Sequence, residues 1–345
     1  MKNIYVLTVV LSMLLCATVL FSGCGSNATG GGGGGSTIVG GNGTVEVNGI
    51  LYITEAGTGR IFIYDHTTGE SGLHIPDRVV SGGATQLDDG MGYYAFLDIA
   101  KDKLYVPDGN AILVFANAST MDGNVAPERV IIGGNTGLNI PCGIFVMNHK
   151  IYVANCSGDD IRVFTEEANG NVAPLHVITC EAMIEPTTLY VTTLETAYIS
   201  YDLSKASPWT ASDQMNVINN ISTRDGLVTP DRTIKFSYNL PKGVIVDETN
   251  NRLFVALRDH YINEYDNAST LSGTPTPTHH SAPVTQTNAI AYDPTNDHLY
   301  VIQDYGATVE VWNNASTIEG TYDSHITISG EGVVGGMGIA FDPTR

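Results

Sequence analysis

GYYAFLDIAKDKLYVPDGNAILVFANASTMDGNVAPERVII, running from Gly92 to Ile132, decides the fold. It holds four short segments rich in aromatic, aliphatic and β-branched residues: strand a from Gly92 to Ile99, strand b from Lys103 to Val106, strand c from Ala111 to Phe115 and strand d from Arg129 to Ile132. Gly, Asn, Asp and Pro punctuate them, which is strand-and-turn chemistry. The pair Leu104-Tyr105 in strand b recurs as Leu51-Tyr52, Ile151-Tyr152, Ala197-Tyr198, Leu253-Phe254 and Leu299-Tyr300, at successive intervals of 53, 47, 46, 56 and 46 residues. A period of that size signals a propeller or solenoid array, and four antiparallel strands per period make one propeller blade. No segment sustains an apolar spacing of 3.6 residues, so helix is a minor component.

The ends of the chain predict closure. Gly338-Ile339-Ala340-Phe341-Asp342-Pro343-Thr344-Arg345 repeats the strand a and turn of Ala289-Ile290-Ala291-Tyr292-Asp293-Pro294-Thr295-Asn296. It stops where a strand b should begin, whereas the first complete unit opens directly on a strand b, Ile50 to Thr54. The last strand therefore fills the vacant inner position of blade one. The predicted fold is all-β: a six-bladed β-propeller of four-stranded antiparallel blades over residues 45–345, its ring closed by the C-terminal strand. A pair of β-sandwiches would leave the matching ends unexplained.

The residues before the propeller give an address. Met1-Lys2-Asn3 is a short basic start, and Ile4 to Phe21 carries no charge before Ser22-Gly23-Cys24. This is the pattern of a secretory signal. Ser22-Gly23-Cys24 resembles the lipobox of bacterial lipoproteins, which implies a signal peptide over 1–23 and lipid attachment at Cys24. Residues 24–44, with Gly30 to Gly35 uninterrupted, read as a flexible tether, about twenty residues that span on the order of 25 Å as a random coil. Gly25 and Ser26 follow the cysteine with no Asp of the kind that resembles an inner-membrane retention signal, so the expected location is the outer membrane or cell surface of the envelope. The formal charge of −20 repels phosphate backbones, which speaks against nucleic acid as a partner. The same charge attracts divalent cations, or simply keeps an exported surface solvated.

The strands themselves resemble the six-bladed NHL and YVTN-like propeller repeats of bacterial surface proteins. Leu104-Tyr105-Val106, Ile151-Tyr152-Val153-Ala154-Asn155 and Ile112-Leu113-Val114-Phe115 carry the likeness, which covers Gly49 to Arg345. Such motifs specify a fold and leave function open, because propellers host hydrolases, lyases and pure binding scaffolds.

Candidate chemistry gathers where strand b leaves each blade near the channel mouth: Glu55, Asp108, Asn155, Asp202, Arg258 and Asp304. Carboxylates and an amide converging there would suit a hard cation such as Ca²⁺. Lactone-hydrolysing six-bladed propellers use Glu, Asn and Asp in a similar place, and Glu55, Asn155 and Asp202 are the positional analogues. Against this, Asp and Asn end strands for turn reasons alone, and the facing strand-a entries Met91, Cys142, Thr187, Lys242, Asn288 and Met337 form no coordinated set. Cys142 and Cys156 fall nearly opposite across the a–b hairpin of blade three, a candidate disulfide in an exported compartment. Cys180 is expected to be a buried free thiol, and no spacing resembles a zinc site.

Pro-x-Arg opens strand d in Pro76-Asp77-Arg78, Pro127-Glu128-Arg129 and Pro230-Asp231-Arg232, with His176, His279 and His325 at equivalent places. These read as charges that discourage edge pairing. The tetrapeptide NAST at Asn117, Asn267 and Asn314, with a degenerate copy at Asn220, is expected to form the c-to-d turn on the face opposite the strand-b exits. Catalytic elbows, zinc helices and phosphate loops are missing from the sequence. The functions left are a membrane-tethered binding or scaffold module for a protein, peptide or glycan, a Ca²⁺-dependent lactonase-like hydrolase, or a structural envelope component.

Overall fold

A computed structural model describes residues 49–345 except 56, 66–71, 89–93, 182, 202–213, 237–239, 259–260, 285, 304–307, 321–324, 331–332 and 334. The expected signal peptide, Cys24 and the tether lie outside the described residues, as do Met91, Asp202 and Asp304. The rest is a six-bladed β-propeller, six mainly antiparallel sheets each built in the order a-b-c-d. Among the described residues there is no α-helix, and helix is confined to one-turn 3₁₀ segments.

Closure follows the sequence expectation. Strand a of blade one is Gly336–Asp342, and it pairs antiparallel with strand b, Ile50–Glu55, from Ile50 opposite Asp342 to Glu55 opposite Gly336. The core consists of wedges between neighbouring blades, because each radial sheet buries both faces. One wedge joins Tyr105, Val114 and Ile131 of blade two to Ile144, Val153 and Phe164 of blade three. The recurring strand-b aromatics Tyr52, Tyr105, Tyr152, Tyr198, Phe254 and Tyr300 are all fully buried in such wedges. That burial is why they recur once per blade: each is the large side chain that fills the gap to the next sheet.

NAST is indeed the c-to-d turn. Asn117, Asn220, Asn267 and Asn314 adopt left-handed φ of 51° to 59°, which Asn tolerates better than most residues. In blade two the serine is held by the a–b turn: Ser119 N and Oγ donate to Asp102 at 2.9 and 2.7 Å. Ser316 bonds Asp297 in the same way in blade six. The turn thus lies on the a–b face, opposite the strand-b exits.

Beyond that turn each blade reaches back to its predecessor. Gly123, Gly170, Gly226 and Gly273, at φ of 68° to 71°, pair in parallel with Val80, Ile131, Ile178 and Ile234 on the preceding outer strand. Glu319 pairs with His280, and Gly72 with Ile328, so the latches run right round the rim. An added Cβ at Gly123, Gly170, Gly226 or Gly273 would meet nothing within 4 Å, so glycine is required there by its backbone conformation and not by space. In three blades the residue before the glycine adds a side-chain bond to the same strand, as when Asp122 Oδ1 accepts from Val79 N at 3.1 Å; Asn169 and Asp225 do likewise.

The strand-d arginines differ from their reading as edge charges. Arg129 is buried, and its guanidinium donates to the carbonyls of Glu166 and Ala168 in blade three. Arg232 reaches Ala268 and Leu271 of blade five and lies over the Tyr198 ring at 5.7 Å. Arg78 bonds Met121 O of blade two at 2.8 Å. They are clamps between blades, drawn inward by carbonyls in or beside the next blade's c-to-d turn. His279 takes a similar course, with Nδ1 3.4 Å from Glu319 of blade six.

Blade five carries one costly group. Glu264 on strand c is completely buried, neither of its oxygens accepts a hydrogen bond, and its nearest cation, Arg252 Nε, stands 3.6 Å away. Burial first, then Asp266, pushes its pKa up to about 7.

Phe341→Ala removes the ring stacked on Tyr300 at 4.3 Å in the closing strand and is expected to cost about 3 to 5 kcal/mol in urea unfolding. For Glu264 the folded state holds its proton up to about pH 7 while the unfolded chain releases it near its ordinary 4.5. Its contribution is therefore fully present below 4.5 and is lost as pH rises through 7, at no more than about 1.4 kcal/mol per pH unit. Glu264→Gln should flatten the fall in Tm across that window.

Candidate functional site

Strands a converge on the axis, so their side chains decide what the channel can hold. In register opposite the strand-b aromatics stand Phe96, Phe145, Tyr190, Ile245, Ala291 and Ala340, one from each blade. Three successive blades thus contribute rings, and blades six and one contribute methyl groups. The rings touch: Phe96 and Phe145 centroids are 4.8 Å apart, Phe145 and Tyr190 4.7 Å. Opposite them the small side chains leave a hollow. The result is a cavity of about 880 Å³ lined by all six inner strands and by the a–b turns, with Thr193, Leu194, Glu248 and Thr249 at its rim. Its volume lies in the range of ligand pockets, about 300 to 1,000 Å³.

The rim is polar and partly ordered. Glu248 accepts from Thr193 N at 2.9 and 3.0 Å, tying the a–b turns of blades four and five together. Burial first, and then the Glu248 carboxylate, raises the pKa of the Tyr190 phenol. Asp247 is buried and committed to its own turn, accepting from Asn250 N and Nδ2 at 3.1 and 2.7 Å. Leu194 stands 83% exposed beside this mouth.

The strand-b exits lie at the other end of the channel, as their position in the sequence implies, and the described ones are bound to their surroundings. Glu55 pairs with Arg60 at 3.1 Å and accepts from Thr58. Asp108 accepts from Asp88 N at 2.9 Å. Asn155, wholly buried, accepts from Asn139 N at 2.7 Å and donates to Asp160 Oδ1 at 2.8 Å and to Gly137 O at 3.3 Å. Asp108 and Asn155 do one job in two blades: each fixes the loop that carries the chain from strand d inward to strand a. Arg258 donates its backbone N to Leu240 O at 2.8 Å. Asp202 and Asp304 lie outside the described residues, so the arrangement of that mouth is known for its other members. Among the described residues no three His, Cys, Asp or Glu stand close enough to hold a metal.

Of the strand-a entries, Thr187 Oγ1 is 3.0 Å from Ser200 Oγ, and Asn288 Nδ2 donates to Gly336 O at 3.4 Å. Met337 Sδ accepts from Asn288 at 3.2 Å. Cys142, Cys156 and Cys180 are free thiols, the first and last buried and Cys156 half-buried. A hydrogen bond with Cys156 and then burial push the Cys142 thiol up; burial alone brings Cys180 to about 11.

The channel lining was not singled out by sequence reading, although a signal existed. Aligning blades on the strand-b aromatic and stepping across the a–b hairpin would have picked one residue per blade. Strand a is apolar on both faces, which is what hid the column.

No family model and no curated protein matches the sequence. Solved structures do match. A chain of the crystal structure of a nidogen/laminin complex is 14% identical, with 85% of this chain and 98% of its own covered and a TM-score of 0.57. A protein of unknown function from Bacteroides caccae is 12% identical, with 86% and 99% covered and a TM-score of 0.56. At such identities the likeness is one of fold.

Asn155→Ala strips the loop clamp of blade three. Urea unfolding is expected to register a loss of about 1 to 3 kcal/mol for the unsatisfied groups left behind, and hydrogen exchange at the Asn139 amide should accelerate.

Proposed function

We propose that this chain is a binding module of the bacterial cell envelope, held to the membrane by lipid on Cys24 and a glycine-rich tether, and that its central channel receives an aromatic or aliphatic side chain of a peptide or protein partner. One observation carries the reading: the apolar wall of the 880 Å³ channel, with the touching rings of Phe96, Phe145 and Tyr190 on one side and Ala291 and Ala340 across from them, which opens on the a–b face. Rings offset on one side and a hollow on the other suit a flat apolar group, because aromatic pairs favour offset and tilted contacts. Glu248 at the rim, together with the net charge of −20, favours neutral or basic residues beside the inserted one. One of the solved structures it resembles is a chain crystallised in a complex of nidogen and laminin.

Peptide display against the detergent-solubilised full chain is the direct test. Selected peptides are expected to carry Phe, Tyr, Trp or Leu with neutral or basic flanks. Ala291→Phe, which fills the hollow side of the wall, should weaken them at least tenfold, with the far-UV circular dichroism of the folded protein unchanged. Equal binding to the Ala291→Phe protein would refute the channel as the site. Selection of glycans in a parallel screen would change the ligand class, and stabilisation by Ca²⁺ with lactone turnover lost in Asp202→Asn would favour the hydrolase reading instead.

A further inference from the structure

We propose that Cys142 and Cys156 are a redox-active dithiol that closes a reversible intrachain disulfide by exchange with a disulfide-bearing oxidant. The hairpin of blade three pairs strand a, Pro141–Met147, with strand b, Lys150–Asn155. Its register runs regularly to Ala154 opposite Gly143 and then skips, setting Asn155 opposite Pro141. Cys142 is the extra residue at that skip, and Cys156 is the first residue past strand b, opening the 3₁₀ turn Cys156–Gly158. The bulge and the turn bring the two side chains to one spot, close enough for Cys156 to be the largest influence on the Cys142 thiol. Their environments differ. Cys142 is 1% exposed and its Sγ points to Ile140 O at 3.7 Å, whereas Cys156 is reachable from solvent. Exchange needs one accessible sulfur and one that resolves, and the pair supplies both.

The steps balance. Cys156, as thiolate, attacks one sulfur of R–S–S–R; a Cys156–S–S–R bond forms and RS⁻ leaves. Cys142 gives its proton to water, its thiolate attacks Cys156 Sγ, the Cys142–Cys156 bond forms and the second RS⁻ leaves. Two protein thiols are oxidised and one external disulfide is reduced to two thiols. Cys180 stands apart on strand d, His176–Cys180, separated from strand b by strand c. Two inter-strand spacings are about 9.5 Å, beyond disulfide reach, so Cys180 is an internal control.

The full chain equilibrated in glutathione buffers of graded ratio, acid-quenched, alkylated and peptide-mapped by mass spectrometry will test this. A Cys142–Cys156 disulfide is expected to appear with two-electron dependence, its oxidised-to-reduced ratio changing tenfold per about 30 mV. Cys180 should label only after denaturation. In Cys142→Ser, Cys156 should accumulate as a glutathione mixed disulfide, while Cys156→Ser should leave Cys142 unmodified in the folded protein. The proposal fails if wild-type Cys142 and Cys156 both stay alkylable at every ratio, if the bond formed includes Cys180, or if Cys142 in Cys156→Ser is glutathionylated as fast as Cys156. The wild-type titration decides the matter even where a variant folds poorly.

Discussion

The pairing of the last strand with the first complete one holds everything else in place. Blade one is composite, its inner strand supplied by Gly336–Asp342 and its other strands by residues 50–80. Until that pairing forms, the wedge containing Leu51, Tyr300 and Phe341 is open, and the channel lacks a sixth wall. A sheet edge left free there would invite pairing with another chain. Contacts between residues nearly 300 positions apart carry a loop-closure cost, although one that grows only logarithmically with length. Ring, channel and site are therefore all closed by this one pairing.

A second ring supports the first from outside. At the hub the blades are joined by apolar wedges, and at the rim by backbone pairing through a residue beyond strand c, a glycine in five blades and Glu319 in the sixth. Arginine clamps lie between the two, tying a strand-d guanidinium to the carbonyls of the following blade's turn. Desolvation matters here: turn carbonyls would be costly to bury unpaired, and a buried guanidinium equally so. The carbonyls are satisfied through one guanidinium nitrogen, Nη1 in Arg129 and in Arg232, and the strand-b tyrosine beside them supplies the apolar body of the wedge.

Much of this was legible in the residues. The column of Tyr52, Tyr105, Tyr152, Tyr198, Phe254 and Tyr300 announces the blades, because a large ring buried once per sheet is what a wedge requires. The repeated end announces closure, and NAST announces both a turn and its face. Less legible were features that depend on what a neighbouring blade offers. Arg78, Arg129 and Arg232 look like edge charges until the carbonyls of the next turn are placed beside them. The strand-b exits are found at the expected mouth, yet the bonds of Asn155 to Asn139 and of Asp108 to Asp88 are loop geometry that spacing does not encode. Phe96, Phe145 and Tyr190 were hidden because strand a is apolar on both faces, and a slip of one residue exchanges what faces the axis.

The rim latches all point the same way. Each blade's turn grips the outer strand of the blade before it, from Gly123 on Val80 round to Gly72 on Ile328. The ring therefore has a sense of rotation that its near-sixfold architecture does not by itself impose. Loosening one turn unfastens the predecessor's edge and leaves the successor's untouched, so a disturbance at one blade travels preferentially against the direction of the chain. A ring of this kind behaves less like a stack of equal plates than like overlapping scales, each lifted from one side only.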